Sequence, residues 1–158
     1  MNCHITATGS FLPGRRIDNE NLPAFMGELD GEAEHRAIIL RRNCIKNRHD
    51  ARNREQTATH DVYELGTHAA QACLKGRDGQ IDYLSAGSTN TPLVGPGLAS
   101  ILHDRLNGAG CVRENLEINS NTGICTSSAQ ALVNACRAVS CGDHSRALCV
   151  GAEQPSEL

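Results

Sequence analysis

Between residues 57 and 151 the chain alternates between two hydrophobic periods, and that alternation constrains its fold more than any other feature. Val62, Leu65, Ala69, Ala72 and Cys73 recur at helical spacing. Thr57 or Thr59 stands as the N-cap, and Gly76 follows the helix end at Leu74. A turn at Gly76-Arg77-Asp78-Gly79 leads into a strand over Ile81 to Ser88. Leu98, Ile101, Leu102 and Leu106 make a second helical face, and Leu116 to Asn119 reads as a short strand. A third helix over Thr126 to Cys141 carries Ala129, Leu132, Val133, Cys136 and Val139, with Gly142 as its stop. Ala147 to Gly151 is a compact apolar run, as a buried parallel strand is. Helix and strand in this order imply an α/β fold: a parallel sheet with right-handed crossovers and helices packed on it. Upstream, Ile5 to Leu12 alternates loosely and ends at Pro13-Gly14, a further strand signal. Asp18 can cap a short helix through Phe25, and Gly31 to Arg41 is another helix.

With 158 residues the chain has one domain's worth of material, enough to bury a core, and no internal repeat, linker or low-complexity segment. Its 21% charged and 39% hydrophobic residues exclude a disordered chain. The net charge of −3 hides a local basic run from Arg36 to Arg54. That run has almost no interleaved aromatic residues, which argues against nucleic acid as a partner. It reads either as a patch for a phosphate-bearing cofactor or an acidic protein, or as a solvated loop. The eight cysteines include no CxxC pair, so a zinc ribbon or thioredoxin motif has no support. The start, Met1-Asn2-Cys3-His4, lacks the features of a secretory signal, and no stretch reaches membrane-spanning length. The expectation is a cytoplasmic protein with free thiols and no membrane partner.

One cysteine differs from the rest. Cys125 falls where a short strand passes through a glycine-containing turn into the last long helix, beside Thr126, Ser127 and Ser128. A thiol there sees unpaired N–H groups and the positive helix end, which favour the thiolate. Most of the other cysteines read as small buried hydrophobes, with Cys136 on a helix core face and Cys149 on a buried strand. A structural thiol remains the alternative at Cys125 as well. His60, Glu64 and His68, four apart on one expected helix, form a stripe that two imidazoles and a carboxylate could offer to zinc; the same spacing also arises on solvated helix faces. Gly95-Pro96-Gly97 precedes a helix and could present N–H groups to an anion, but Pro and Gly are also ordinary at a helix start.

Taken in order, several segments resemble the N-terminal half of β-ketoacyl-acyl carrier protein synthase III enzymes, of the thiolase fold. Ile5 to Pro13 resembles the family's first strand. Arg42-Asn43-Cys44-Ile45-Lys46-Asn47-Arg48-His49 is similar to its Arg-Thr-Gly-Ile-Arg-x-Arg-His segment. Ala86 to Pro92 resembles the strand and loop lining the acyl site, and Gly123-Ile124-Cys125 falls where the family keeps its nucleophile. Val150-Gly151-Ala152-Glu153 resembles the strand closing this half. Within the family, Ser88 to Leu106 is most similar to synthases of the dialkylresorcinol type.

The resemblance implies a thiolase-like N-terminal half-domain over 1–158, lacking the C-terminal half that carries the family's catalytic His and Asn. It implies a transferase of fatty acid or polyketide-like biosynthesis, dimeric in its relatives, with no bound cofactor. Cys125 takes an acyl group from an acyl-CoA or acyl-carrier-protein thioester, and a decarboxylating extender then attacks it. Arg42 matches an arginine near the pantetheine or nucleotide entrance, and Thr89 and Gly95 fall near the acyl pocket. Ile38 stands where the family has an adenine-stacking aromatic, which favours acyl carrier protein over CoA as the donor. Gly95 replaces a bulky pocket residue, leaving room for a longer or branched acyl group. Thr126-Ser127-Ser128 departs from the family's small, glycine-containing sequence. The implied partners are acyl carrier protein, a complementary C-terminal half chain and a second copy. A non-catalytic partner or scaffold subunit, or a truncated remnant, is the competing reading.

Overall fold

A computed structural model of the chain describes residues 2–26, 33–77 and 80–155. The start of the helix expected from Gly31 lies outside the described residues, as do Asp78 and Gly79 of the expected turn. The chain divides into two units, residues 12–60 and residues 1–11 with 61–158.

In the 12–60 unit, β1 (Ile17–Asp18) leads through a single 3-10 turn (Asn19–Asn21) into α1 (Leu22–Met26). After α2 (Ala33–Arg42), β2 (Asn47–Arg48) returns antiparallel to β1, pairing Ile17 with Arg48 and Asp18 with Asn47. Asp18 stands at the cap position but makes no side-chain cap bond; it accepts from Arg16 Nε at 2.8 Å instead. Asn19 ties the unit together, accepting from Arg48 at 2.7 Å and donating to the Ile45 carbonyl at 2.8 Å.

The other unit opens with α3 (Val62–Leu74). Its cap is Asp61, not the expected Thr57 or Thr59. Asp61 Oδ1 accepts from the Glu64 N–H at 2.6 Å, and Glu64 Oε2 accepts from the Asp61 N–H at 2.8 Å. A capping box satisfies two helix-end groups reciprocally, which a lone threonine cannot match. The helix ends as expected, with Gly76 at a φ of +73°. Then follow β3 (Tyr83–Gly87), α4 (Leu98–Gly108), β4 (Glu117–Asn121), α5 (Ser127–Cys141) and β5 (Ala147–Gly151). The sheet order is β4-β3-β5, with both pairings parallel, as the alternation implied. β3 is central and every residue in it is buried.

Strand alternation sorts the two faces. Leu84, Ala86, Leu148 and Val150 join a core with α3 and α4, where Leu102 and Leu106 are fully buried. The opposite face receives α5, and here the expected helix face is corrected. The buried residues of α5 are Ser127, Ala131 and Ala135, while Leu132 and Val133 are 42% and 41% exposed. The reason is close approach. A Cβ on Gly87 would overlap the Ser127 carbonyl group, and one on Gly151 would lie 2.7 Å from Ser128 Oγ. Only small helix residues fit against those glycines.

The expected strand over Ile5 to Leu12 is also corrected, since residues 2–13 carry no strand. Ile5 and Leu12 are 73% and 65% exposed. A strand needs a ladder partner, and the described residues supply none for this segment. Residues 3–9 instead line a groove beside β5 and α5, with Gly9 against the backbone of Ala69 and Cys73 on α3.

Asp82 pins the entry ends of β3 and β5. Its carboxylate accepts from Ser145 N, Ser145 Oγ and Arg146 N at 2.8–2.9 Å, and its backbone bonds Arg146 and Glu117. Burial pushes the Asp82 carboxyl up, but the hydrogen bonds from Ser145 and Arg146 and the His144 charge outweigh it, holding the pKa at about 2. A depressed carboxylate pKa stabilises the fold above its unfolded value and loses that contribution as pH falls through the folded value. Stability is therefore expected to drop by about 1 kcal/mol, after allowance for solvent screening, as pH falls from 3.8 to about 2. Urea titrations across that window check this, and Asp82→Asn should flatten the slope.

Candidate active site

The sequence between β4 and α5 builds a clasped turn. After Asn121 the chain passes Thr122 and Gly123 into a 3-10 turn (Ile124–Thr126) before α5 begins. Ser127, fully buried, holds both ends: its Oγ accepts from the Gly123 N–H at 2.8 Å and donates to the Ile124 carbonyl at 2.7 Å. Thr126 Oγ1 donates to the Gly123 carbonyl at 2.7 Å. Ile124 takes a φ of +53°, a left-handed conformation that a β-branched residue adopts only under constraint. Cys125 rides on this turn, exposed, just ahead of α5 and not inside its first turn.

Thr89, which follows β3, reaches the same turn. Its hydroxyl donates to the Ile124 carbonyl at 3.1 Å. Its N–H donates to both carboxylate oxygens of Glu153, at 3.0 and 3.1 Å. Each of the three parallel strands thus contributes one residue beyond its carboxyl end: Thr89 after β3, Cys125 after β4 and Glu153 after β5. That edge is where parallel sheets present chemistry. Beneath it, Asn121 Nδ2 donates to Ser85 Oγ and the Ala86 carbonyl, and Asn134 Nδ2 donates to Asn121 Oδ1 at 2.8 Å. These bonds tie β3, β4 and α5 into one support for the turn.

The other residues singled out in the sequence fall differently. Gly95 lies exposed in the loop before α4, and a Cβ there would meet no atom within 4 Å. Arg42 closes α2 in the 12–60 unit, and Ile38 lies on the same helix. The His60, Glu64 and His68 stripe does not form: His60 precedes the helix, Glu64 is in the capping box, and His68 packs against Phe11 with ring centroids 4.7 Å apart. Among the described residues, no cluster of three or more His, Cys, Asp or Glu is placed to hold a metal. The Gly95-Pro96-Gly97 helix start is already occupied, because Ser120 Oγ on β4 accepts from the Ala99 N–H at 2.9 Å.

Sequence reasoning missed two contributors. Glu153 was legible only as part of a strand-closing segment, although a carboxylate just past a parallel strand is itself a signal. Ser127 was read as a departure from a pattern, yet it is the residue that clasps the turn.

No family model matches the chain. Curated relatives do. The chain is 30% identical over 149 residues to β-ketoacyl-[acyl-carrier-protein] synthase III of Xanthomonas axonopodis pv. citri, and 29% identical over 149 residues to the Xanthomonas oryzae pv. oryzae protein of the same name. Each alignment covers 94% of this chain and 42% of the relative, so the chain spans less than half the length of these proteins. Among solved structures, the synthase III of Thermus thermophilus superposes with a TM-score of 0.74 at 21% identity, over 99% of this chain and 44% of that one. A priming β-ketosynthase of a polyketide biosynthetic pathway gives 0.70 at 22% identity, over 96% and 42%. The fold is thus that of the thiolase-like class. More particularly, over 94% of its length the chain is similar to β-ketoacyl-[acyl-carrier-protein] synthase III proteins, of which it spans 42%.

Proposed function

We propose that the chain is the acyl-accepting half of a β-ketoacyl synthase III-type condensing enzyme, with Cys125 as nucleophile. The observation that carries the reading is the clasped, exposed Cys125 turn at the carboxyl edge of the parallel sheet. The Cys125 thiolate attacks the carbonyl carbon of an acyl thioester. The tetrahedral intermediate collapses with cleavage of the donor's C–S bond, and the donor thiol leaves with a proton. The Cys125 N–H supplies one oxyanion donor. A malonyl-type extender then loses CO₂, and its carbanion displaces Cys125 from the acyl-enzyme.

In this reading acyl carrier protein is the preferred donor, since Ile38 offers no stacking surface for adenine. Gly95 sets no limit on a long or branched acyl chain, since a Cβ there would meet no atom within 4 Å; Arg42, in the 12–60 unit, is a candidate for binding a phosphate-bearing donor. The second step needs a complementary half carrying His and Asn. The exposed apolar side chains Leu132 and Val133 on α5 and Ile118 on β4 support such a covering partner. Relatives of this family motivate a cytoplasmic, dimeric assembly. Among the described residues no helix is long and apolar enough to cross a membrane.

Thr89 is a positioning residue here, acting on Cys125 through the Ile124 carbonyl. Thr89→Val is expected to leave folding intact and to slow acyl loading by about tenfold, the equivalent of one hydrogen bond. Single-turnover loading rates check it, and an unchanged rate contradicts the role.

The reading as a whole is tested by mixing the chain with a separately made C-terminal half of a synthase III and assaying condensation from an acyl-carrier thioester and malonyl-carrier protein. Product formed only by the mixture, and lost with Cys125→Ala, supports it. Product that survives Cys125→Ala assigns the chain a scaffold role.

A further inference from the structure

The Ile124 carbonyl collects three hydrogen bonds. It accepts from Ser127 Oγ at 2.7 Å, from the Ser127 N–H, and from Thr89 Oγ1 at 3.1 Å. A carbonyl oxygen has two lone pairs, so three donors saturate it. Two of them are hydroxyls from separate parts of the fold, the start of α5 and the segment after β3.

That carbonyl belongs to the same peptide unit as the Cys125 N–H. The Ile124–Cys125 peptide is trans, so its N–H points opposite to its C=O. Fixing the oxygen therefore fixes the N–H. With the oxygen drawn toward Ser127 and Thr89, the Cys125 N–H is aimed away from both. The left-handed φ of +53° at Ile124 sets the peptide in this orientation, and the two hydroxyls hold it there.

The bonds also run in one direction. Ser127 Oγ accepts from the Gly123 N–H at 2.8 Å and passes its own hydrogen to the Ile124 oxygen. A hydroxyl that accepts is a stronger donor, and a carbonyl that accepts makes its own peptide N–H a stronger donor in turn. The series from Gly123 N–H through Ser127 O–H and Ile124 C=O thus ends at the Cys125 N–H. Ser127 is fully buried, so water does not compete for its hydroxyl. Thr89 is aimed in its turn by Glu153, whose two carboxylate oxygens accept from the Thr89 N–H at 3.0 and 3.1 Å.

We infer that Ser127 is a positioning residue for acyl transfer: with Thr89, it orients and polarises the Ile124–Cys125 peptide so that the Cys125 N–H stands ready for the oxyanion, a role that rests on Cys125 being the acyl acceptor proposed above. A donor fixed in advance needs no reorganisation as negative charge develops on the acyl oxygen. The effect is confined to reactions that build that charge.

Two reagents separate this role from simple packing of the turn. p-Nitrophenyl acetate acetylates a thiol by attack of the thiolate sulfur on the carbonyl carbon. A C–S bond forms, the carbonyl oxygen becomes an oxyanion, and collapse breaks the C–O bond and releases p-nitrophenolate; the thiol proton has gone to the buffer. Iodoacetamide alkylates the same thiolate by displacing iodide at a saturated carbon, with no oxyanion. Both rates are read at Cys125 of the folded chain by quenching and peptide mapping. Ser127→Ala is expected to slow acetylation by about tenfold and to leave alkylation within about twofold of the parent. Thr89→Val, at a partly exposed position, reads the same split where Ser127→Ala lowers the yield of folded chain, and Thr89→Ser, which keeps the hydroxyl, restores the parent ratio. Equal slowing with both reagents overturns the inference. So does an unchanged ratio, or a parent chain that is not acetylated at Cys125. The expected split with the ester, in a chain that takes no acyl group from a carrier thioester, sinks the functional reading and leaves the positioning role standing.

Discussion

Cys125→Ala is expected to abolish acyl loading, lowering its rate by roughly a thousandfold or more, while leaving stability within about 0.5 kcal/mol of the parent. The two halves of that expectation have separate causes. The thiol is the only group on the exposed turn with the nucleophilicity to open a thioester, since Thr126 and Ser128 carry unactivated hydroxyls engaged with the Gly123 and Gly87 carbonyls. The turn itself is held by Ser127, Thr126 and Thr89, none of which bonds the Cys125 side chain. Loading rates and urea midpoints of the two proteins measure both effects. Undiminished loading in the variant would move the acyl site to another thiol.

Gly87→Ala is the second large effect, and it acts on the scaffold. The added Cβ would overlap the Ser127 carbonyl group and stand 2.8 Å from Ser128 N. Both obstacles are backbone, so no side-chain rotation relieves them. Either β3 or α5 must move, at the start of the helix that carries the clasped turn. Overpacking of this kind typically costs about 1–3 kcal/mol. Backbone-on-backbone contact places this case at about 3 kcal/mol, a large share of a small domain's stability. The expected result is a clearly lowered urea midpoint together with slowed alkylation or acylation at Cys125. An unchanged midpoint would show that α5 does not pack on β3 as closely as described.

What the sequence revealed follows from how local each signal is. The β4-β3-β5 sheet and its helices were legible because period and punctuation are local: Gly76 and Gly142 stop helices where a left-handed residue is needed. Cys125 was legible because a strand, a glycine turn and a helix meet there in consecutive residues. The cap of α3 was equally local, in the Asp61-Val62-Tyr63-Glu64 spacing, and was missed because Thr57 and Thr59 looked sufficient one at a time. The rest depends on tertiary contacts. Thr89 and Glu153 are joined by hydrogen bonds across 64 residues, which no local pattern encodes. The buried face of α5 was misassigned for a similar reason. Leu132 and Val133 are the more hydrophobic residues, but the close approach of Gly87 and Gly151 to Ser127 and Ser128 fixes the helix so that Ser127, Ala131 and Ala135 are the buried residues. The Ile5–Leu12 alternation was real as a pattern, yet a strand exists only where a partner completes its ladder.

The most direct test of the central claim is the intact mass of the folded chain after incubation with an acyl-carrier-protein thioester, followed by peptide mapping. The expected result is one acyl group per chain, carried on Cys125 and released by hydroxylamine as a thioester. An unmodified mass in a folded sample, or an acyl group found on a different cysteine, would contradict it.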